Sequence, residues 1–214
     1  MSKKNTVLFD FDGTIMDTND LIYNSWQYAF NQLTGKDGDR EAILETFGEP
    51  LIMSMENMFP DVPPERSVAV YREYQYAHFE EEIRLFPGMK DLLVRVKHRG
   101  YKTALVTSRL RPTTKRGMAK YGLAPFFDTM VTVEDCSRHK PDPQPVEIAL
   151  DRLESEPQQS IMLGDSVHDL GSARNAGVEF VMVGWAQAFG AQAEATDLKP
   201  DHVIQKADEL LDLI

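Results

Sequence analysis

Asp10 and Asp12 close the apolar run Val7, Leu8, Phe9 and Phe11, a setting in which a carboxylate is costly unless something compensates it. Three more apolar runs lead to polar groups of complementary type. Thr107 closes YKTALVT and Ser108 follows it, Lys140 lies in HKPDP a short loop beyond DTMVTV, and Asp165 and Asp169 stand in LGDSVHD after SIML. Brought to one point, the carboxylates would repel each other strongly. A hard divalent cation relieves that repulsion, and oxygen donors without a nearby cysteine or histidine cluster favour Mg²⁺.

Side chains two apart on a strand share a face, so Asp10 and Asp12 can look into one pocket while Phe11 turns away. Gly13 then permits a tight turn and a close approach of backbone to an anion, and Thr14 adds a hydroxyl and an amide that could hold a phosphate oxygen. One carboxylate can serve as a metal-bound nucleophile and the other as general acid and base. Lys140 would neutralise phosphate and nucleophile charge, and Thr107 would donate to a phosphoryl oxygen. Plainer readings exist for each residue. Asp10 and Asp12 could form a strand-end turn, Thr107 and Ser108 could cap the next helix, Lys140 could be solvated, and Asp169 could only cap or pair. The convergence of four complementary strand ends favours chemistry for the set, with Ser108 evenly placed between capping and phosphate binding. Cys136, His78, His98, His139 and His202 are read as structural or solvent-facing, His168, within LGDSVHD, as a bystander or a support for its metal-ligand neighbours, and Tyr23, Trp26 and Phe30 as helical core.

The elements that must position these residues alternate. Strands are expected at Asn5 to Phe11, Tyr101 to Thr107, Asp128 to Val133, Ser160 to Leu163 and Val178 to Val183, as continuous apolar runs suited to burial on both faces. Helical spacing falls at Pro112 to Tyr121, Pro145 to Leu153 and Val167 to Ala176, with Gly122 and Gly177 just past two helix ends. This predicts an α/β fold: a Rossmann-like parallel sheet with helices on both faces. Ligands of such sheets bind at the carboxyl ends of the strands, where the polar residues lie. Residues 18–83 break the rhythm. LIYNSWQYAFNQL, REAILETFG and SVAVYREYQYAHFEEEI read as helices, the last opened by Pro63 and Pro64, with no convincing strand. We therefore expect a core domain of residues 1–17 and 84–214 and an inserted all-helical cap of residues 18–83, hinged near Gly13 to Asp20 and Arg84 to Gly88.

Bulk properties narrow the function classes. A net charge of −11 over 214 residues argues against a nucleic-acid or anionic-membrane surface and is neutral toward small phosphorylated metabolites. No run approaches the roughly 18 apolar residues of a membrane helix. The basic start MSKKNTVLFD has too short an apolar run for a signal peptide, and the lone Cys136 cannot form an internal disulfide, so a cytoplasmic location is expected. Monomer and dimer are both open.

DFDGT, the threonine after the second strand, Lys140-Pro141 after the third and GDSVHD after the fourth together resemble the four motifs of the haloacid dehalogenase superfamily, over essentially the whole chain and including a helical insertion after the first motif. The resemblance implies a Mg²⁺-dependent phosphohydrolase. Asp10 would attack phosphorus to form an aspartyl-phosphate, and Asp12 would protonate the leaving oxygen and later activate water. The cation would be held by Asp10, the Asp12 carbonyl and Asp165. Asp169 would be a further ligand, through water, or a support for the others. Gly13, Thr14, Thr107, Ser108 and Lys140 would hold the substrate phosphate.

Within the superfamily, Asp12 argues against dehalogenation, since dehalogenases lack this second aspartate. β-Phosphoglucomutases carry a cap histidine where this chain has Ile22, which leaves a mutase as the disfavoured alternative. Phosphonoacetaldehyde hydrolases use a cap lysine, and the only lysine between Asp17 and Ile83 is Lys36 in a polar loop. A phosphatase similar to phosphoglycolate phosphatases and bacterial inorganic pyrophosphatases of this superfamily remains, with TVLFDFDGTIMDTNDLI, HKPDPQP and MLGDSVHDLGSARNAG most like the pyrophosphatases. FGEPLIMSM resembles the specificity loop of such caps; the only charges in or beside it are Glu49 and Glu56, with no cation, which disfavours phosphoglycolate, whose carboxylate would welcome an arginine.

Overall fold

The computed structural model describes residues 3–185 and 199–214. Six strands form a parallel sheet. They are β1 (Thr6–Phe9), β4 (Lys102–Val106), β5 (Thr129–Val131), β6 (Ser160–Gly164), β7 (Glu179–Val183) and β8 (His202–Ile204), in the order β5-β4-β1-β6-β7-β8. Alternation along the strands divides the core. Val7, Phe9, Leu105, Ile161, Leu163 and Val181 pack on one face, against α5 (Met89–His98) and α6 (Arg111–Tyr121). Leu8, Ala104, Val106, Met162, Phe180 and Met182 pack on the other, against α7 (Gln144–Leu153) and α8 (Val167–Asn175). Each fully buried Leu, Ile or Phe here is worth roughly 1.5–3 kcal/mol over its exposed state. The observed fold is thus the expected doubly wound α/β sheet.

Strand order reverses between β1 and β6, which open sheets use as a ligand-binding crevice. Asp10 follows β1 and Asp165 follows β6, so the two carboxylates flank that crevice. The first strand is shorter than the expected Asn5 to Phe11 because the chain leaves the sheet at Asp10, whose amide still bonds the Leu163 carbonyl at 2.9 Å. Phe11 stays fully buried beyond the strand, against Gly117 and Phe79.

The insertion contains α1 (Asn19–Thr34), α2 (Arg40–Glu45), α3 (Leu51–Met58) and α4 (Pro64–Glu82), packed around their own cluster of Trp26, Ile43, Met55, Phe59 and Tyr71. The stretches before and after it pair as a small antiparallel ribbon, β2 (Met16–Asp17) with β3 (Arg84–Leu85). FGEPLIMSM is only partly a loop: Pro50 starts α3, leaving Phe47 to Glu49 as the turn before it. Elements beyond those read from sequence include α3, the β2–β3 ribbon, α5 and β8. Helix α5 buries Met89, Leu92, Leu93 and Val96 at helical spacing, and β8 is a three-residue edge strand with Val203 exposed, too short for its pattern to show.

Candidate active site

The floor of the site is built from the ends of β1, β4 and β6. Lys140 is buried and spends all three ammonium hydrogens there: on Asp10 Oδ1 at 2.8 Å, the Val106 carbonyl at 2.7 Å and Asp169 Oδ1 at 2.5 Å. Asp169 forms a reciprocal cap with Ser166 at the start of α8. Its Oδ2 accepts from the Ser166 hydroxyl at 2.7 Å, the Ser166 amide at 3.2 Å and the Asp165 amide at 3.3 Å. Asp169 is therefore fully occupied as an acceptor, holding Lys140 on one side and the Asp165 backbone on the other. Gly13, in the left-handed region at φ 73°, brings the β1 turn against Asp165; a Cβ there would stand 2.0 Å from Asp165 Oδ2.

Burial dominates the electrostatics. It pushes the Asp10 carboxyl up to about 8, with the Asp169 charge reinforcing and the Lys140 ammonium opposing. Asp165 is raised well above the usual carboxylate range, first by burial and then by the Asp169 and Asp10 charges. Burial alone would depress Lys140, yet Asp10 and Asp169 outweigh it and hold the ammonium above its ordinary value. Oxygens of Asp10, Asp165 and Asp169 all lie within 4.8 Å of one another. Three buried carboxylates share one lysine in an all-oxygen set, and this fits a hard cation.

Above the floor is a cavity of about 310 Å³ lined by Asp10, Asp12, Gly13, Thr107, Ser108, Lys140, Asp165 and Asp169, so eight of the nine residues singled out from sequence meet in one place. Thr14 is the one left out. It is fully buried, and its hydroxyl is turned to Asp165 Oδ1 at 3.5 Å rather than toward the cavity. Neither Thr107 nor Ser108 caps α6, which has Leu110 at its N-cap without a side-chain bond. Thr107 instead accepts from the Arg109 amide at 3.2 Å, and the Ser108 hydroxyl donates to the Gly48 carbonyl of the insertion at 3.1 Å.

That contact belongs to a lid-like seam. Gly48 has φ 88°, and a Cβ on it would lie 2.8 Å from Ser166 Oγ and 3.3 Å from the His168 ring, so only glycine lets the turn sit down on the start of α8. Glu49 stands 3.9 Å from His168 Nε2, and burial holds that imidazole below its ordinary pKa. From the insertion, Ile22 and Trp26 add apolar surface to the cavity.

Asp12 points to the residue that sequence reasoning missed. Asp12 Oδ1 accepts from the Thr18 hydroxyl at 2.8 Å and from Arg109 Nη1 at 2.9 Å. Both bonds fall on Oδ1, which leaves Oδ2 without a hydrogen bond among the described residues. Arg109 is buried, its guanidinium 5.2 Å from the Phe79 ring centre, and Arg72 of α4 also lines the cavity. The lack of a cation in FGEPLIMSM is thus no argument against a carboxylated substrate, because arginines enter from α4 and from the loop after β4. The one available signal for Arg109 was its place, two residues after Thr107 at a strand exit.

The profile of the haloacid dehalogenase-like hydrolases matches residues 7–183. The chain belongs to this family. Among curated relatives of the haloacid dehalogenase-like family, the pyrophosphatase PpaX of Halalkalibacterium halodurans is 36% identical, over 98% of this chain and 96% of that protein. The pyrophosphatase PpaX of Bacillus mycoides is 34% identical, over 99% and 97%. A haloacid dehalogenase-like hydrolase from Streptococcus pneumoniae superposes with a TM-score of 0.86 at 28% identity, over 100% of this chain and 99% of that one. A β-phosphoglucomutase from Clostridium difficile superposes with a TM-score of 0.82 at 20% identity, over 97% and 93%, so the fold alone does not separate hydrolase from mutase. The protein is a hydrolase of this family, with an acidic cluster suited to a cation, and no helix among the described residues is long and apolar enough to cross a membrane.

Proposed function

We propose that this hydrolase cleaves inorganic pyrophosphate, with Mg²⁺ as its cation and Asp10 as its nucleophile. The Asp10–Lys140–Asp169 chain under the cavity, a carboxylate at a strand exit fixed by a saturated lysine and facing open space, supports Asp10 as nucleophile, and the PpaX relatives support pyrophosphate as substrate. Asp10 and Asp165, with the Asp12 backbone carbonyl, would hold the cation. Bound there, it would offset phosphate charge and let the carboxylates stay ionised together.

The Asp10 carboxylate attacks phosphorus, the bond to the leaving oxygen breaks, and Asp12 gives that oxygen a proton. Water then attacks phosphorus of the aspartyl-phosphate, Asp12 takes the water proton, and Asp10 is released with orthophosphate. Lys140 orients Asp10, and Thr107 and the Gly13 turn face the transferred phosphoryl group. Residues 18–83 act as a cap over the core of residues 1–17 and 84–214, and the Gly48 turn is the part that closes. Ile22 supports hydrolysis over mutase chemistry, because an aliphatic side chain on the cavity wall can neither take nor return a proton to a sugar.

The test is phosphate release with and without Mg²⁺ from pyrophosphate, phosphoglycolate and hexose phosphates. Pyrophosphate is expected to give the highest kcat/KM, and only with the cation. Conversion of β-glucose 1-phosphate to glucose 6-phosphate, given a bisphosphate activator, would overturn the hydrolase assignment in favour of a mutase.

A further inference from the structure

We propose that Arg109 is the receptor for the second oxyanion of the substrate, the charged end of the group that leaves. This rests on the reading of Asp12 as the acid for that group. Arg109 Nη1 is bonded to Asp12 Oδ1 at 2.9 Å, so a leaving oxygen that Asp12 can reach lies beside the guanidinium.

The arginine side chain is only 6% exposed, yet its Nε and Nη2 have no hydrogen-bond partner among the described residues. Burying one such N–H unpaired is costly, more so in a charged group, so two on one side chain call for a ligand that completes them. The residue lines the cavity, and its guanidinium is held between Phe79, 5.2 Å from the ring centre, and the Asp12 bond. A planar fork fits two oxygens of a phosphate or carboxylate.

Other cations do not fill the role. Lys140 has no hydrogen left to give, its three bonds going to Asp10, Val106 and Asp169. Arg72 spends Nη1 on the Tyr76 hydroxyl at 2.9 Å, though its own Nε is unpartnered among the described residues and adds positive charge to the same wall. The transferred phosphoryl group sits over Asp10, and the released one against Arg109. For pyrophosphate the shared chemistry is a leaving phosphate; for phosphoglycolate it would be a carboxylate.

The experiment compares substrates whose leaving ends are anionic with substrates whose leaving ends are neutral. Wild type, Arg109→Gln and Arg109→Lys are assayed with pyrophosphate against methyl phosphate, and with phosphoglycolate against 2-hydroxyethyl phosphate. Both reference esters have neutral, poor leaving groups that still need the acid. The Gln variant should lose kcat/KM on each anionic substrate about 10- to 100-fold more than on its neutral counterpart, and Lys should recover only part. Calorimetry should show the same split: weaker binding of imidodiphosphate, with orthophosphate little changed. Equal losses on anionic and neutral substrates would overturn the proposal, leaving Arg109 as a support for Asp12 alone. If wild type cleaves phosphoglycolate and not pyrophosphate, the pyrophosphate assignment falls, while the phosphoglycolate pair still decides the role of Arg109.

Discussion

The floor and the wall of the cavity are built on opposite terms. On the floor, Lys140 has three acceptors for three hydrogens and Asp169 has donors on both oxygens. On the wall, Arg109 is also buried but leaves Nε and Nη2 unspent among the described residues. A saturated network fixes atoms in place before substrate arrives, which suits groups that must meet phosphorus in one geometry. An unsaturated one leaves bonding capacity for a ligand.

The largest way to break the floor is Lys140→Ala. It strands two buried carboxylates, so a loss of about 3–5 kcal/mol in urea unfolding is expected, with activity near zero. A variant of near wild-type stability would show that the network is not under tension.

Chelation probes the same floor more gently. The folded Asp10 carboxyl titrates at about 8, against an ordinary 3.8. Between those values the folded protein binds more protons than the unfolded chain, so stability is present at low pH and is lost as pH rises toward 8. In chelator, Tm should therefore fall from pH 5 to pH 8, and added Mg²⁺ should flatten the slope. A Tm that rises over this range in chelator would contradict the assignment.

The smallest expected effect lies at the seam between the regions. Gly48→Ala forces a side chain into the left-handed region, at about 1–2 kcal/mol, and into Ser166. Because the strain falls where the turn meets α8, kcat/KM should drop about tenfold with a smaller change in Tm; unaltered kinetics would separate the turn from closure.

These regions also differ in how far the sequence disclosed them. Floor residues announce themselves, because Asp10, Lys140 and Asp165 follow apolar runs that β1, β5 and β6 account for, and strand order then decides their meeting. Helices α1, α2 and α4 of the insertion are legible from spacing and from Pro63 and Pro64, whereas α3 lies in FGEPLIMSM, which reads as a loop. Arg109 was not, since burial is what makes it notable and burial depends on Phe79, thirty residues earlier in the chain. Thr14 shows the reverse failure: a hydroxyl next to a glycine turn suggested phosphate, but the turn rotates it toward Asp165. The edge strand β8 and the ribbon β2–β3 are too short to carry a period at all.

The central claim, a covalent intermediate on Asp10 that Asp12 resolves, can be caught directly. An aryl phosphate carrying ³²P needs no acid for its leaving group, so Asp12→Asn should still be phosphorylated but should be slow to release the label. Acid quench should then find hydroxylamine-labile ³²P on Asp12→Asn protein and none on Asp10→Asn. Label retained on the Asp10→Asn protein, or absent from both variants while wild type turns over, would contradict the account.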